Sequence, residues 1–355
     1  MRRPTLPDAD VIAFEPRDGE PTVGPSKAAR MVGNTGPKPP APKPDVAPVV
    51  APVEKKKRKK VLVEPDPTQD EPNEIDLIPD EDVEGWMEFA RRRLRGDYSV
   101  DDFGFDPELT DRVLLALARP LYKSWFRVET TGLENIPSDS AALVVANHSG
   151  TIAVDSIMAQ VALHDEHPGH RHLRMLGANL VFQTPFLGEV ARKAGHTLAC
   201  HPDAERLLSD GEVVGVWPEG FKGIGKPFSQ RYKLQRFGRG GFVAAAIKTG
   251  SPIVPTAIVG AEEIYPMIYN SRTIARILGL PYFPITPTFP WLGPLGMVPL
   301  PSKWLIHFGD PIPTDHYPPS AADDPMVVFE LTDQVREQIQ QSLYRLLIKR
   351  PSAFG

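Results

Sequence analysis

Cysteine is almost absent from this chain, since Cys200 is the single one among 355 residues. A disulfide framework and a cysteine-rich zinc site are therefore excluded. Arg2 and Arg3 are followed by no apolar core, so we predict no secretory signal. The formal net charge of −5 gives no support for bulk binding of nucleic acid, and we expect no nucleic-acid partner.

The chain also lacks an uninterrupted apolar run. Its longest uncharged stretch, Ile277 to Ser302, is long enough to cross a bilayer but contains seven prolines. Proline removes backbone donors that a spanning helix must satisfy internally, so we predict no transmembrane helix. We expect instead a proline-stiffened loop that packs over the core or touches lipid.

The first 79 residues have few aromatics and hold 16 of the 40 prolines. Such a segment buries too little apolar surface to offset chain entropy, so residues 1–79 are predicted to be a disordered, proline-rich tail. The tail contains a basic cluster from Lys55 to Lys60. This cluster fits a solvated tether, an anionic membrane surface or a nucleic-acid contact.

Two amphipathic helices are predicted in residues 80–127. Helical spacing of apolar residues covers 82–95, next to clustered arginines, and 107–126, where Pro120 is a candidate kink. Apolar and cationic faces of this kind suit either packing against a domain or contact with an anionic membrane.

Residues 128–350 alternate between β and α patterns, which predicts an α/β domain with a mostly parallel central sheet flanked by helices. The predicted strands are 143–146, 174–177, 196–199, 213–217, 253–259 and 305–308. The predicted helices are 153–163, 185–194, 203–208, 241–249 and 326–348.

The stretch from Asn147 to Asp155 follows the first long predicted strand of this domain and presents His148. Histidine has the side-chain pKa nearest neutrality, and a carboxylate such as Asp155 can fix its tautomer. The pair is a candidate general base for a hydroxyl. A loop or helix-cap role is the alternative for an isolated histidine.

A second candidate site follows the predicted strand 213–217. Glu219 and Gly220 stand where α/β sheets place ligands. Residues 221–240 then carry six cations and no acid, and fit either phosphate recognition or a solvated loop. Gly220 to Lys226 resembles a phosphate loop, but Pro227 replaces the required hydroxyl residue. No Gly-x-Ser-x-Gly nucleophile motif occurs.

These segments, together with Pro252–Pro255, resemble in order the sequence blocks of the glycerolipid acyltransferase family of the 1-acylglycerol-3-phosphate type. The resemblance covers roughly residues 125–315. It implies transfer of a fatty acyl chain from acyl-CoA or acyl carrier protein to a lipid hydroxyl. His148 would be the general base, assisted by Asp155, and no metal or cofactor is implied.

The same resemblance assigns the acceptor site to Glu219 and Gly220. Lys222, Lys226 and Arg231 are the cations that we expect to bind substrate phosphates. The implied partners are the acyl donor, the lipid acceptor and an anionic membrane. We therefore expect a cytoplasmic protein associated peripherally with the inner face of the cell membrane.

Three departures from the family pattern stand in this chain. Six residues rather than four separate His148 from Asp155, which requires a turn at 149–151. Cys200, followed by His201, replaces one arginine of the family, and Phe221-Lys222 replaces another. These changes favour an acceptor other than glycerol 3-phosphate. They also leave two alternatives: a catalytically silent relative that binds acyl-CoA or lipid, and a scaffold that acts through the basic tail.

Overall fold

The computed structural model describes residues 80–149 and 152–354. The predicted tail with its basic cluster, and Gly150 and Thr151 of the predicted turn, lie outside the described residues. Helix α1 (Asp80–Arg95) belongs to a unit that ends at Tyr98, and a second compact unit begins at Ser99. The predicted division into three segments stays a prediction.

A seven-stranded sheet forms the centre of the second unit, in the order β1-β9-β6-β2-β5-β3-β4. Neighbouring strands are parallel except β6 and β9, which pair antiparallel. The predicted mostly parallel sheet is thus confirmed. The strands are β1 (Glu129–Thr131), β2 (Ala142–Ala146), β3 (Leu173–Gly177), β4 (Thr197–Leu198), β5 (Val213–Val216), β6 (Ile253–Val259) and β9 (Leu305–Phe308).

Both faces of this sheet are covered by helices. Successive residues of a strand point to opposite sides, so each central strand contributes to two cores. In β2, Leu143 and Val145 join one hydrophobic core, while Val144 and Ala146 join the other. The first core contains side chains of α7 (His201–Ser209), α9 (Gly241–Thr249) and α11 (Pro325–Lys349). The second contains side chains of α4 (Val154–Glu166) and of the helical segment 107–125.

The segment 107–125 is a helix of mixed type. It passes through α2 (Pro107–Leu109), a π-helical stretch (Thr110–Leu115), α3 (Ala116–Pro120) and a second π-helical stretch (Leu121–Trp125). The sequence predicts its length but not the π geometry. Pro120, the candidate kink, is the last residue of α3, directly before the second π-helical stretch.

Shorter elements complete the unit. The remaining helices are α5 (Asn179–Gln183), α6 (Leu187–Lys193), α8 (Phe221–Ile224) and α10 (Arg272–Leu278). Single 3-10 turns lie at Leu133–Asn135, Phe228–Gln230, Ala261–Glu263, Gly293–Met297 and Pro319–Asp323. A small antiparallel pair joins β7 (Tyr269–Asn270) to β8 (Pro284–Ile285). The elements β1, β7, β8, α5, α8 and α10 were not predicted.

Two helix ends show ordinary capping chemistry. Asp324 accepts the backbone N–H of Met326 at the start of α11, where Pro325 occupies the first helical position. Gly250 ends α9 with a φ of 65° in the left-handed region, which glycine adopts without a steric penalty.

Candidate active site

His148 and Asp155 lie side by side at the carboxyl end of β2. His148 is two residues beyond the strand, and Asp155 is the second residue of α4. His148 Nδ1 is 2.8 Å from Asp155 Oδ2. The structure therefore brings together the two residues that the sequence pairs, although six residues separate them.

Asp155 is fully buried, and its carboxylate accepts hydrogen bonds from the backbone on either side of it in the chain as well as from His148. Its Oδ2 also accepts the backbone N–H of Ser149 at 2.9 Å, and its Oδ1 accepts that of Ser156 at 2.9 Å. Because a carboxylate only accepts, the hydrogen between the pair belongs to His148 Nδ1. In the neutral imidazole this leaves Nε2 unprotonated. Within the described residues no hydrogen-bond partner is recorded for Nε2, so this atom can accept a proton.

The spacing between the two residues is accommodated before α4 begins. Ser149 already donates to Asp155, and the helix starts only at Val154. A continuous helix over the same interval would have placed the two side chains about 10 Å apart. An ordinary contact is thus compatible with the longer spacing.

Glu219 does not line an open cleft; its side chain accepts a hydrogen bond from the backbone of His148. Its side chain is fully buried. Its Oε1 accepts the N–H of His148 at 2.9 Å, and its Oε2 accepts that of Gln235 at 2.6 Å. Gly220 follows with a φ of 53° and a ψ of −143°, a conformation that is essentially restricted to glycine. The loop after β5 therefore holds the histidine loop in place.

Lys226 is buried beneath this loop, with 4% of its side chain exposed. Its Nζ is 3.1 Å from Glu262 Oε1 and 3.6 Å from Glu219 Oε2, and it donates to the carbonyl of Lys233. Burial raises the pKa of Glu262 to about 7, against the opposing effect of Lys226. The structure thus places Lys226 in an internal ion cluster, where the sequence placed it among substrate-binding cations.

Lys222 and Arg231 are both exposed. The Arg231 guanidinium lies 4.4 Å from the centre of the Phe228 ring and also contacts the Phe228 carbonyl. A guanidinium stacked in this way still presents donors to an anion. Lys222 and Arg231, which we expect to bind substrate phosphates, are thus both accessible from solvent.

Comparison with known proteins identifies the family of this chain. A family model described as "Acyltransferase" matches residues 127–259, which include His148, Asp155 and Glu219. The chain is 62% identical over 266 residues to an uncharacterized protein of Mycobacterium tuberculosis, covering 75% of this chain and 74% of the relative. The chain belongs to the glycerolipid acyltransferase family.

More distant relatives carry functional names. A human "DGAT1/2-independent enzyme synthesizing storage lipids" is 25% identical, over 54% of this chain and 55% of the relative. A Brassica napus "1-acyl-sn-glycerol-3-phosphate acyltransferase BAT2, chloroplastic" is 24% identical, over 45% and 46%. The crystal structure of the Thermotoga maritima 1-acyl-sn-glycerophosphate acyltransferase matches with a TM-score of 0.47 and 20% identity, over 76% of this chain and 90% of that one.

Cys200, which stands where the resemblance to the family leads us to expect an arginine, is buried directly before α7. β4, which ends two residues before Cys200, is three strand positions from β2 across the sheet, a lateral distance of about 14 Å. Burial raises the pKa of the Cys200 thiol, so this side chain is neutral at pH 7. It supplies no positive charge to an acceptor phosphate.

Several residues around His148 had no role assigned to them in the sequence analysis. The Asn147 side chain exchanges two hydrogen bonds with the backbone of Ile258, which fixes β2 to β6 just before the histidine. A Cβ added to Gly223 would lie 2.7 Å from the His148 carbonyl, so glycine permits this close approach. In the sequence, the clustered glycines after Glu219 were the signal from which this close approach could have been predicted.

The proline-rich loop lies close to the same corner. A Cβ on Gly225 would come within 3.6 Å of the Tyr282 ring. Burial raises the pKa of Tyr282 to about 12, and the charge of Asp155 adds to this effect. The segment 221–225 therefore lies between this loop and His148.

We define the apolar rim as the large hydrophobic side chains between residues 268 and 298 that are at least half exposed. Trp291 is 73% exposed and Leu295 is 73% exposed. Large apolar side chains that remain exposed in this way are candidates for an interaction surface. Across the described residues, no helix has the length and hydropathy needed to cross a membrane. The rim comprises Ile268, Tyr269, Ile277, Leu278, Trp291, Leu292, Leu295, Met297 and Val298.

Proposed function

We propose that this acyltransferase moves a fatty acyl chain from acyl-CoA or acyl carrier protein to a hydroxyl of a lysophospholipid, glycerolipid or related lipid. His148 is the general base, and Asp155 holds its tautomer and stabilises its cation. The observation that carries the proposal is the 2.8 Å contact between His148 Nδ1 and Asp155 Oδ2, which leaves Nε2 able to take a proton.

In this mechanism the acceptor hydroxyl gives its proton to His148 Nε2. The oxygen attacks the thioester carbonyl and forms a tetrahedral intermediate. Collapse of the intermediate breaks the carbon–sulfur bond, and the imidazolium returns the proton to the departing thiolate. No covalent acyl-enzyme is needed, because the acceptor is itself the nucleophile.

Glu219 takes a positioning role in this proposal. Both of its oxygens accept backbone N–H groups, one from His148 and one from Gln235. Fixing the backbone of the base limits its displacement, and small displacements from reactive geometry cost large factors in rate. Lys226 acts through Glu219 and Glu262 rather than on substrate.

Phosphate recognition falls to the exposed cations in this proposal. Lys222 and Arg231 are exposed within residues 221–240, the basic stretch, and can contact the phosphates of the donor or of the acceptor. The loss of the family's arginine at Cys200 favours an acceptor other than glycerol 3-phosphate. The name of the human relative, a storage-lipid enzyme, supports testing neutral glycerides.

We propose that the protein works at the cytoplasmic face of the membrane without spanning it. The support is the apolar rim, and the exposed Arg272 and Arg276 on α10 among its residues. Apolar side chains flanked by cations suit an anionic lipid interface.

The deciding experiment supplies purified protein with long-chain acyl-CoA or acyl carrier protein and a panel of hydroxyl lipids. Release of free thiol and mass spectrometry of the lipid product report transfer. We expect turnover on at least one acceptor, abolished by His148→Ala with the circular dichroism spectrum unchanged. Binding of acyl-CoA without turnover on any acceptor would instead support a silent relative.

A further inference from the structure

Three side chains with metal-binding chemistry meet at the opposite edge of the sheet from His148. Asp111 comes from the first π-helical stretch, His164 from α4, and His172 directly precedes β3. Because β2 and β3 run in the same direction, the start of β3 and the end of β2 lie at opposite edges. Asp155 and His164 are nine residues apart on α4, about 14 Å along its axis.

The distances within this cluster fit a small cation. Asp111 Oδ1 is 3.1 Å from His164 Nε2 and 3.6 Å from His172 Nε2, and all three ligand atoms lie within 4.8 Å of one another. Zinc bonds of about 2.0–2.1 Å in tetrahedral geometry separate neighbouring ligand atoms by about 3.3 Å. The two distances to Asp111 lie on either side of that value.

A second carboxylate orients His164 for such a role. His164 Nδ1 lies 3.0 Å from Asp165 Oδ1. Asp165 is itself held by a two-pronged contact with Arg119, at 2.7 and 2.8 Å. Histidine ligands of metals usually donate their other ring N–H to a carboxylate in this way. The arrangement turns Nε2 towards Asp111.

The remaining ligand atoms are also suited to a cation. Asp111 Oδ1 is buried and, among the described residues, has no hydrogen bond of good geometry. His172 Nε2 lies 3.6 Å from this oxygen, so its ring nitrogen faces the same point as that of His164. The Asp111 side chain as a whole is 40% exposed, which leaves a path for the ion and for a water ligand.

We propose that Asp111, His164 and His172 bind a divalent transition-metal ion of the zinc class. Two imidazoles and one carboxylate form a three-ligand set that zinc accepts, with solvent as the fourth ligand. This proposal departs from the expectation of no metal, which followed from the resemblance to the acyltransferase family. The site lies apart from the proposed acyl transfer and does not depend on it.

The ion would crosslink the segment 107–125 to α4 and to the start of β3. Other contacts already join that segment to the end of α4, since Arg119 pairs with Asp165 and Tyr122 donates to Glu166 at 2.7 Å. Metal binding to the folded state alone adds to its stability by mass action. We therefore expect the melting temperature to rise with zinc concentration.

The test uses the full-length, untagged protein after treatment with a chelator. We expect one Zn²⁺ per chain by elemental analysis after re-addition, a rise in melting temperature, and the visible absorption of tetrahedral Co²⁺ when cobalt replaces zinc. Asp111→Asn and His172→Ala should each abolish these signals. His316→Ala is the matched control, since His316 lies beside Asp315 in an exposed pair.

The wild-type measurements decide the proposal even if a variant fails to fold. If folded wild type binds no stoichiometric Zn²⁺ or Co²⁺, the cluster is an imidazolium–carboxylate network and the proposal is wrong. Binding by Asp111→Asn equal to that of wild type would equally overturn it.

Discussion

Replacing Asp155 with asparagine tests the proposed base most sharply, because the two side chains have the same shape. The amide has one acceptor atom, whereas the carboxylate uses both oxygens. If the amide oxygen takes the Oδ2 position, His148 keeps its tautomer but loses a charged acceptor. If the amide nitrogen takes that position, it donates to Nδ1 and forces the hydrogen to Nε2, which can no longer accept a proton.

The size of the effect follows from these two cases. A hydrogen bond to a charged group contributes about 1.5–3 kcal/mol, which corresponds to about 10- to 100-fold in rate. The wrong tautomer raises the loss to about 10⁴-fold, as in serine proteases. We expect kcat to fall by about 10- to 10⁴-fold with little change in KM, and stability to fall by about 1–3 kcal/mol.

The assay is thiol release from acyl-CoA with the best acceptor of the panel, together with urea unfolding. Asp324→Asn is the matched control, because Asp324 also accepts a backbone N–H at the start of a helix but lies in α11. It should leave kcat unchanged. If Asp155→Asn retains kcat within about threefold of wild type while His148→Ala is inactive, Asp155 only holds the backbone of Ser149 and Ser156, and its proposed assistance to the base is refuted.

Three further outcomes are expected. Lys226→Met should lower stability by about 3–5 kcal/mol in urea unfolding, because it leaves the buried Glu219 carboxylate without its neighbouring cation, whereas exposed Lys222→Met should not. Glu262 has its pKa raised from 4.5 to about 7 by burial, so its contribution to stability is present below pH 4.5 and is lost as pH rises to 7. Glu262→Gln should remove this dependence, a difference on the order of 3 kcal/mol between urea titrations at the two pH limits. Trp291→Ser with Leu295→Ser should reduce flotation with anionic liposomes; unchanged flotation would contradict membrane contact through the rim.

The sheet could be predicted from the sequence because its central strands are long apolar runs. Residues 253–259 were predicted with the same bounds that β6 has, and all seven are buried. β1 has only three residues, Glu129–Thr131, and is partly exposed, so its periodicity is too short to be detected. Short edge strands depend on their partners, here β9, more than on their own residues.

The site shows the same contrast between local and distant information. His148 and Asp155 could be paired because they are close in the chain and their chemistry is complementary. The buried environment of Lys226 could not be predicted, because it includes Glu262, which is 36 residues away in the chain, beyond α9 and β6. The Asp111 cluster draws on three segments, so no spacing in the sequence identifies it.

The shared carboxylate of Glu219 has a consequence for engineering substrate selectivity. One oxygen holds the loop of the base, and the other holds Gln235 in the basic stretch that is the obvious target for redesign. Substitutions made there to change the acceptor will also move His148. Libraries screened only for binding would therefore enrich slow enzymes, and selection should act on turnover, with Glu219 and its two backbone partners held constant.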